Sequence, residues 1–141
     1  GQVRLESRML PIVSETLSPL TAQIAECAGE MGNFWGAKSL IYDLASNRQI
    51  DAEIVNTVAT ELDLPVDELA PCMATADQYV IDSQLASEIG VSGTPSILVR
   101  LDDTTPRWIV AGDNQPLRGA LPYEVLELIV EAMQSQQFET N

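Results

Sequence analysis

The period of hydrophobic and polar positions changes twice along the chain and divides it into three stretches. Val3, Leu5 and Ser7 alternate with Arg4, Glu6 and Arg8, the two-residue period of a half-buried or edge strand ending near Met9 to Pro11. From Ser18 the period becomes helical. Ser18-Pro19 predicts a helix start, because a hydroxyl caps free amides and proline is tolerated in the first turn. Leu20, Ile24, Cys27, Ala28 and Met31 then share one face, which weakens at Gly29 or Gly32. Phe34, Ala37, Ile41 and Leu44 mark a second face, broadened by Trp35 and Leu40. Asp51 is placed to cap a third helix carrying Ile54, Val55, Val58 and Leu62. Leu64-Pro65 breaks the pattern, and a short helical turn with Val66 and Leu69 leads to Cys72. A further helix, from about Ala76 to Ile89, carries Ile81, Leu85 and Ile89 as its stripe and closes at Gly90.

The third stretch is mixed. Ser96 to Leu101 and Trp108 to Ala111 are compact β-branched and aliphatic runs, and Asp102 to Pro106 between them reads as the turn of an antiparallel hairpin. Gly112 to Leu121 is irregular, and Pro122 opens a last helix with Val125, Leu126, Ile129, Val130 and Met133 inward, fraying beyond Ser135. The order predicts an α/β chain of α+β layout, with a helical block at about 18–89 and a hairpin and helix at about 91–136. Without repeats or a linker, one domain is expected. So few strands leave the helical block to form much of its own core.

Charge narrows the function classes. There are 21 acids against 7 bases, a formal net charge of -14, and Lys38 is the one lysine. Such a surface repels phosphate backbones and anionic lipids, so neither nucleic acid nor a membrane surface is an expected partner. No apolar run is long enough to insert into a membrane. The chain contains no histidine, which removes imidazole acid-base chemistry, histidine metal ligation and any Ser-His-Asp or Cys-His arrangement. Two cysteines cannot close a zinc site unaided, so no metal is expected, and no cofactor is implied. No basic, apolar leader opens the chain, and the alternating stretch after Gly1 reads as a start in mid-domain.

Val91-Ser92-Gly93-Thr94-Pro95-Ser96-Ile97-Leu98-Val99 resembles the cis-proline loop and following strand of the DsbA-like family of the thioredoxin fold. The flanks resemble it in the same order. Gly1 to Arg8 is similar to the strand leading to a proline-containing bend, here Pro11. Ala25 to Glu30 and Gly32-Asn33-Phe34-Trp35 are similar to the first insert helices, and Gly119 to Tyr123 to the approach to the C-terminal helix. The resemblance spans nearly the whole chain and implies a thioredoxin-like fold with a large helical insert. It implies a cis Thr94-Pro95 peptide, with Gly93, Thr94 and Pro95 binding an extended substrate. The family's reactive centre is a CxxC at a helix start, where the helix dipole and nearby amides favour the thiolate. This chain has no CxxC; the family order places it before Gly1, with a central strand and its helix.

By the same resemblance, Cys27 and Cys72 are candidates for a structural disulfide outside the active centre, suited to a periplasmic or otherwise extracytoplasmic compartment. Two buried free thiols, or a working redox pair, are the alternatives. The implied partners are cysteine-containing polypeptides, a redox partner protein, and a complementing N-terminal segment or second copy by swapping. Three functions are open: a thiol-disulfide oxidoreductase whose chain is inactive alone, a non-catalytic peptide- or protein-binding module, and a structural subunit completed by another chain. Other features read more plainly. Phe34-Trp35 suits core packing better than a surface anchor, Asp102-Asp103 suits a solvated turn better than a cation site, and Glu26 with Glu30 suits a wet acidic flank.

Overall fold

A computed structural model describes residues 3–100, 105–110 and 112–134. Gly1, the acidic turn at Asp102 and Asp103, and the end beyond Ser135 lie outside the described residues. Within them the fold is mixed α/β, with six helices and one small antiparallel pair of strands. The chain divides into two compact units, residues 8–85 and residues 1–7 with 86–141.

The unit at 8–85 is helical. It holds α1 (Leu17–Glu30), α2 (Phe34–Ser46), α3 (Ile54–Glu61), α4 (Val66–Met73) and the start of α5 (Gln78–Glu88). The start of α1 differs from the expected Ser18 cap. Ser14 Oγ accepts the Leu17 N–H at 3.2 Å while Ser18 Oγ accepts the Ser14 N–H at 3.0 Å, so two hydroxyls close the turn ahead of Pro19. Asp51 works ahead of α3 by a similar device, its carboxylate accepting the Glu53 N–H at 2.9 Å. Ile24, Ala25 and Ala28 of α1 pack with Ala37 and Ile41 of α2 and Ile54 and Val58 of α3. A second cluster joins Cys27, Ala59, Leu69 and Ala76, seating α4 against α1 and α3. The small residues at 25, 28 and 37 let these helices approach closely. Phe34 packs against the first cluster, but its neighbour Trp35 is 51% exposed, with Lys38 Nζ 5.4 Å from its ring centre.

The inward face of α5 is rotated from the apolar stripe. Ile81 is 51% exposed, whereas Asp82 is 4% exposed. Three hydrogen bonds converge on that carboxylate. Oδ1 accepts Arg8 Nη1 and Gln78 Nε2, each at 2.9 Å, and Oδ2 accepts the Met9 N–H at 2.8 Å. A buried carboxylate requires such partners, and these tether the chain at Arg8-Met9 to α5 from 74 residues away. Asp82→Asn should cost about 2 kcal/mol, because an amide loses the ionic bond and turns donors toward donors. Arg8, 45% exposed at its side chain, regains water and keeps the loss below that of a wholly buried pair. Urea unfolding checks this; a loss under about 0.5 kcal/mol would deny the carboxylate its anchoring role.

In the other unit, β1 (Leu98–Val99) pairs antiparallel with β2 (Arg107–Trp108), with Leu98 opposite Trp108 and Val99 opposite Arg107. The last helix, α6 (Tyr123–Gln134), buries Ile129 and half-buries Val125, Leu126, Val130 and Met133, the positions its periodicity marked. Residues 3–8 do not form the expected strand. Alternation describes side chains but supplies no ladder partner, and neither described strand pairs with this segment. Val3 and Leu5 are exposed, and the segment is held by charge instead, Glu6 pairing with Arg4 at 3.5 Å and with Arg100.

Candidate functional site

The loop bearing Gly93, Thr94 and Pro95 hangs between two fixed ends. At its start, Gly90 takes a left-handed conformation (φ 70°), and the N–H groups of Gly90 and Val91 return to the carbonyls of Ser87 and Ala86 at 3.3 and 2.8 Å. That closes α5 and uses its last free carbonyls. At its end the chain enters β1. Between them Ser96 Oγ donates to the Gly93 carbonyl at 2.7 Å, pinning the loop across its own bend. The Thr94-Pro95 peptide is cis. Thr94 and Pro95 are exposed while Gly93 is half-buried. Among the described residues, neither the N–H nor the C=O of Thr94 has a hydrogen-bond partner. An exposed, unpaired donor and acceptor immediately ahead of a strand are what an extended polypeptide needs for main-chain pairing.

Cys27 and Cys72 lie elsewhere, in the helical unit. They are joined by a disulfide, Cα to Cα 5.9 Å, and neither is a free thiol. Cys27 is fully buried in the second core cluster and Cys72 is half-buried at its edge. Glu30 Oε2 stands 3.5 Å from Cys72 Sγ. A carboxylate there opposes the negative charge a leaving thiolate would carry, which suits a structural bond rather than an exchanging one. Glu26, on the same flank, accepts the Gln78 N–H at 3.0 Å and so caps α5. The two acids therefore do separate work and form no acid-base pair. Among the described residues, no group of three or more potential ligands could hold a metal ion.

A third set of residues meets the base of the loop: the polar turn at Asp113 to Leu117, which the resemblance implies to be on the substrate side, leads to an Arg118-Trp108 contact that sequence reasoning did not single out. Val110 bridges to Pro116 and the Leu117 N–H donates to the Ile109 carbonyl at 2.8 Å, so the chain doubles back after β2. Asn114, at φ 62°, and Asp113, whose carboxylate accepts the Gln115 N–H at 3.2 Å, make the reversal. Continued by one step, that register sets Arg118 opposite Trp108. The guanidinium lies 4.5 Å from the indole centre, and Trp108 Nε1 donates to the Ile89 carbonyl at 2.8 Å. No local signal marks this contact, since it depends on where the chain reverses between residues 110 and 116.

No family model matches the chain, and no curated protein or solved structure matches it either. No helix among the described residues is long and apolar enough to cross a membrane.

Proposed function

We propose that this chain is the substrate-binding part of a thiol-disulfide oxidoreductase of DsbA-like type, with a thioredoxin-like fold enlarged by the helical unit. The observation that carries this is the exposed Thr94-Pro95 loop, with the Thr94 main chain unpaired among the described residues ahead of β1. In exchange, a CxxC thiolate attacks one sulfur of a disulfide, a new S–S bond forms, and the other sulfur leaves as thiolate. Thr94 and Pro95 would hold the polypeptide that carries the reacting sulfur. This chain has no CxxC, so the nucleophile comes from a complementing segment or a second, swapped copy. A redox partner protein then resets it. A structural disulfide supports work in an oxidising, periplasmic or otherwise extracytoplasmic compartment.

One observation favours a second reading, a non-catalytic module that binds peptides through the same loop: both cysteines of the chain are committed to the disulfide. Amide chemical-shift mapping by NMR tests what the readings share, using a synthetic peptide with one central, alkylated cysteine. The expected shifts centre on Gly93, Thr94, Ser96 and Ile97. Shifts confined to residues 8–85, or none at saturating peptide, would sink both. Exchange activity that appears only with a copurifying CxxC polypeptide selects the enzyme; its absence from the natural assembly selects the module.

A further inference from the structure

Arg118 is the one basic group beside the candidate loop whose surroundings set it apart. Arg4, Arg8 and Arg100 each hold a carboxylate. Arg118 holds none among the described residues, although acids outnumber bases threefold along the chain. Its one hydrogen-bond contact among the described residues is with the Gly90 carbonyl at 3.5 Å, at the long limit for such a bond. The side chain is nevertheless held. Trp108 is fixed by its bond to Ile89 and by the pairing of β2, and the guanidinium lies against that ring. An arginine stacked on an aromatic face keeps its fork of N–H donors in a fixed plane, with less freedom to lose on binding. Asp113, five residues earlier in the turn, forms no ion pair with it among the described residues; its carboxylate accepts the Gln115 N–H.

We infer that Arg118 is a carboxylate anchor for the extended polypeptide bound at Thr94. This rests on the peptide-binding reading of that loop. The guanidinium sits at the root of the loop, against Gly90. Thr94 lies four residue steps beyond Gly90, a span of at most about 14 Å. An extended peptide advances about 3.3 Å per residue, so an acid within about four residues of the one paired with Thr94 comes within reach. Bidentate contact between the planar fork and the carboxylate selects such peptides over neutral ones. On a surface this acidic, the fixed cation also admits a ligand the rest of the molecule repels.

The test uses peptides with a central alkylated cysteine, an amidated end, and glutamate or glutamine at each position up to four residues to either side. At low salt the best glutamate peptide should bind about fivefold more tightly than its glutamine twin, as expected of an exposed but preorganised pair. That ratio should fall to about one in Arg118→Gln, and Arg118→Lys, which keeps charge without the fork, should lie between. A glutamine peptide ending in a free carboxylate at the same position reports whether a chain end serves equally; equal tightening supports the anchor and names that source. Equal binding of the twins by the unsubstituted protein, with the Gly93 to Ile97 amides still shifting, overturns Arg118 as anchor and leaves the loop reading standing. A ratio that survives Arg118→Gln does the same. No shift at the loop with any peptide overturns both.

Discussion

Replacing Cys27 by alanine together with Cys72 by serine should lower the stability of the helical unit by about 4 kcal/mol. The disulfide closes a 45-residue separation, and the chain-entropy relation assigns about that much to the freedom withheld from the unfolded chain. The choice of replacements matters. Cys27 is fully buried, where a hydroxyl would lack a partner, whereas Cys72 at the cluster edge accepts one. Urea unfolding followed by far-ultraviolet circular dichroism reads mainly this unit, which contains most of the helices. Reduction of the unsubstituted protein should reproduce the loss, and both samples should show a steeper denaturant dependence because their unfolded chains expand further. A loss below about 1 kcal/mol would mean that the unfolded ensemble already keeps α1 and α4 together.

Ile24→Ala should be the other large loss, about 3 to 4 kcal/mol. Ile24 is wholly buried at the centre of α1, among side chains from α2 and α3. Truncation removes its transfer energy and leaves a void that close-packed helices fill only in part. Alanine's better helix propensity offsets only a few tenths. The matching control is Ile81→Ala. Both isoleucines sit in helices on expected apolar stripes, but Ile81 is 51% exposed and its truncation should cost less than about 0.5 kcal/mol. Equal losses at the two positions would contradict the rotated face of α5.

That contrast also shows what the sequence discloses about the fold. The faces of α1, α2, α3 and α6 are legible because apolar residues recur at helical spacing, and burial follows the pattern. On α5 the same rule fails because its buried positions are a charge, Asp82, and a small residue off the stripe, Ala86. Asp82 goes inward only because Arg8 and Met9 reach it, and that pairing lies far outside any window of periodicity. The alternation at residues 3–8 misleads for a related reason: strand formation depends on a partner, and the partner is never written in the strand itself. At the candidate site, Gly93-Thr94-Pro95 stands out locally because glycine and proline punctuate the chain ahead of a β-branched run. The Arg118-Trp108 contact does not, because a two-strand register carries it rather than a motif.

The two tryptophans have one more consequence. Trp35 belongs to the helical unit and is half open to solvent; Trp108 belongs to the other unit, with its indole bonded to a carbonyl and faced by an arginine. Each unit therefore carries a single tryptophan in a distinct setting, the first accessible to a collisional quencher and the second sensitive to what its cation does. Phenylalanine at one position or the other turns the protein's own emission into a separate clock for each half, with no dye attached.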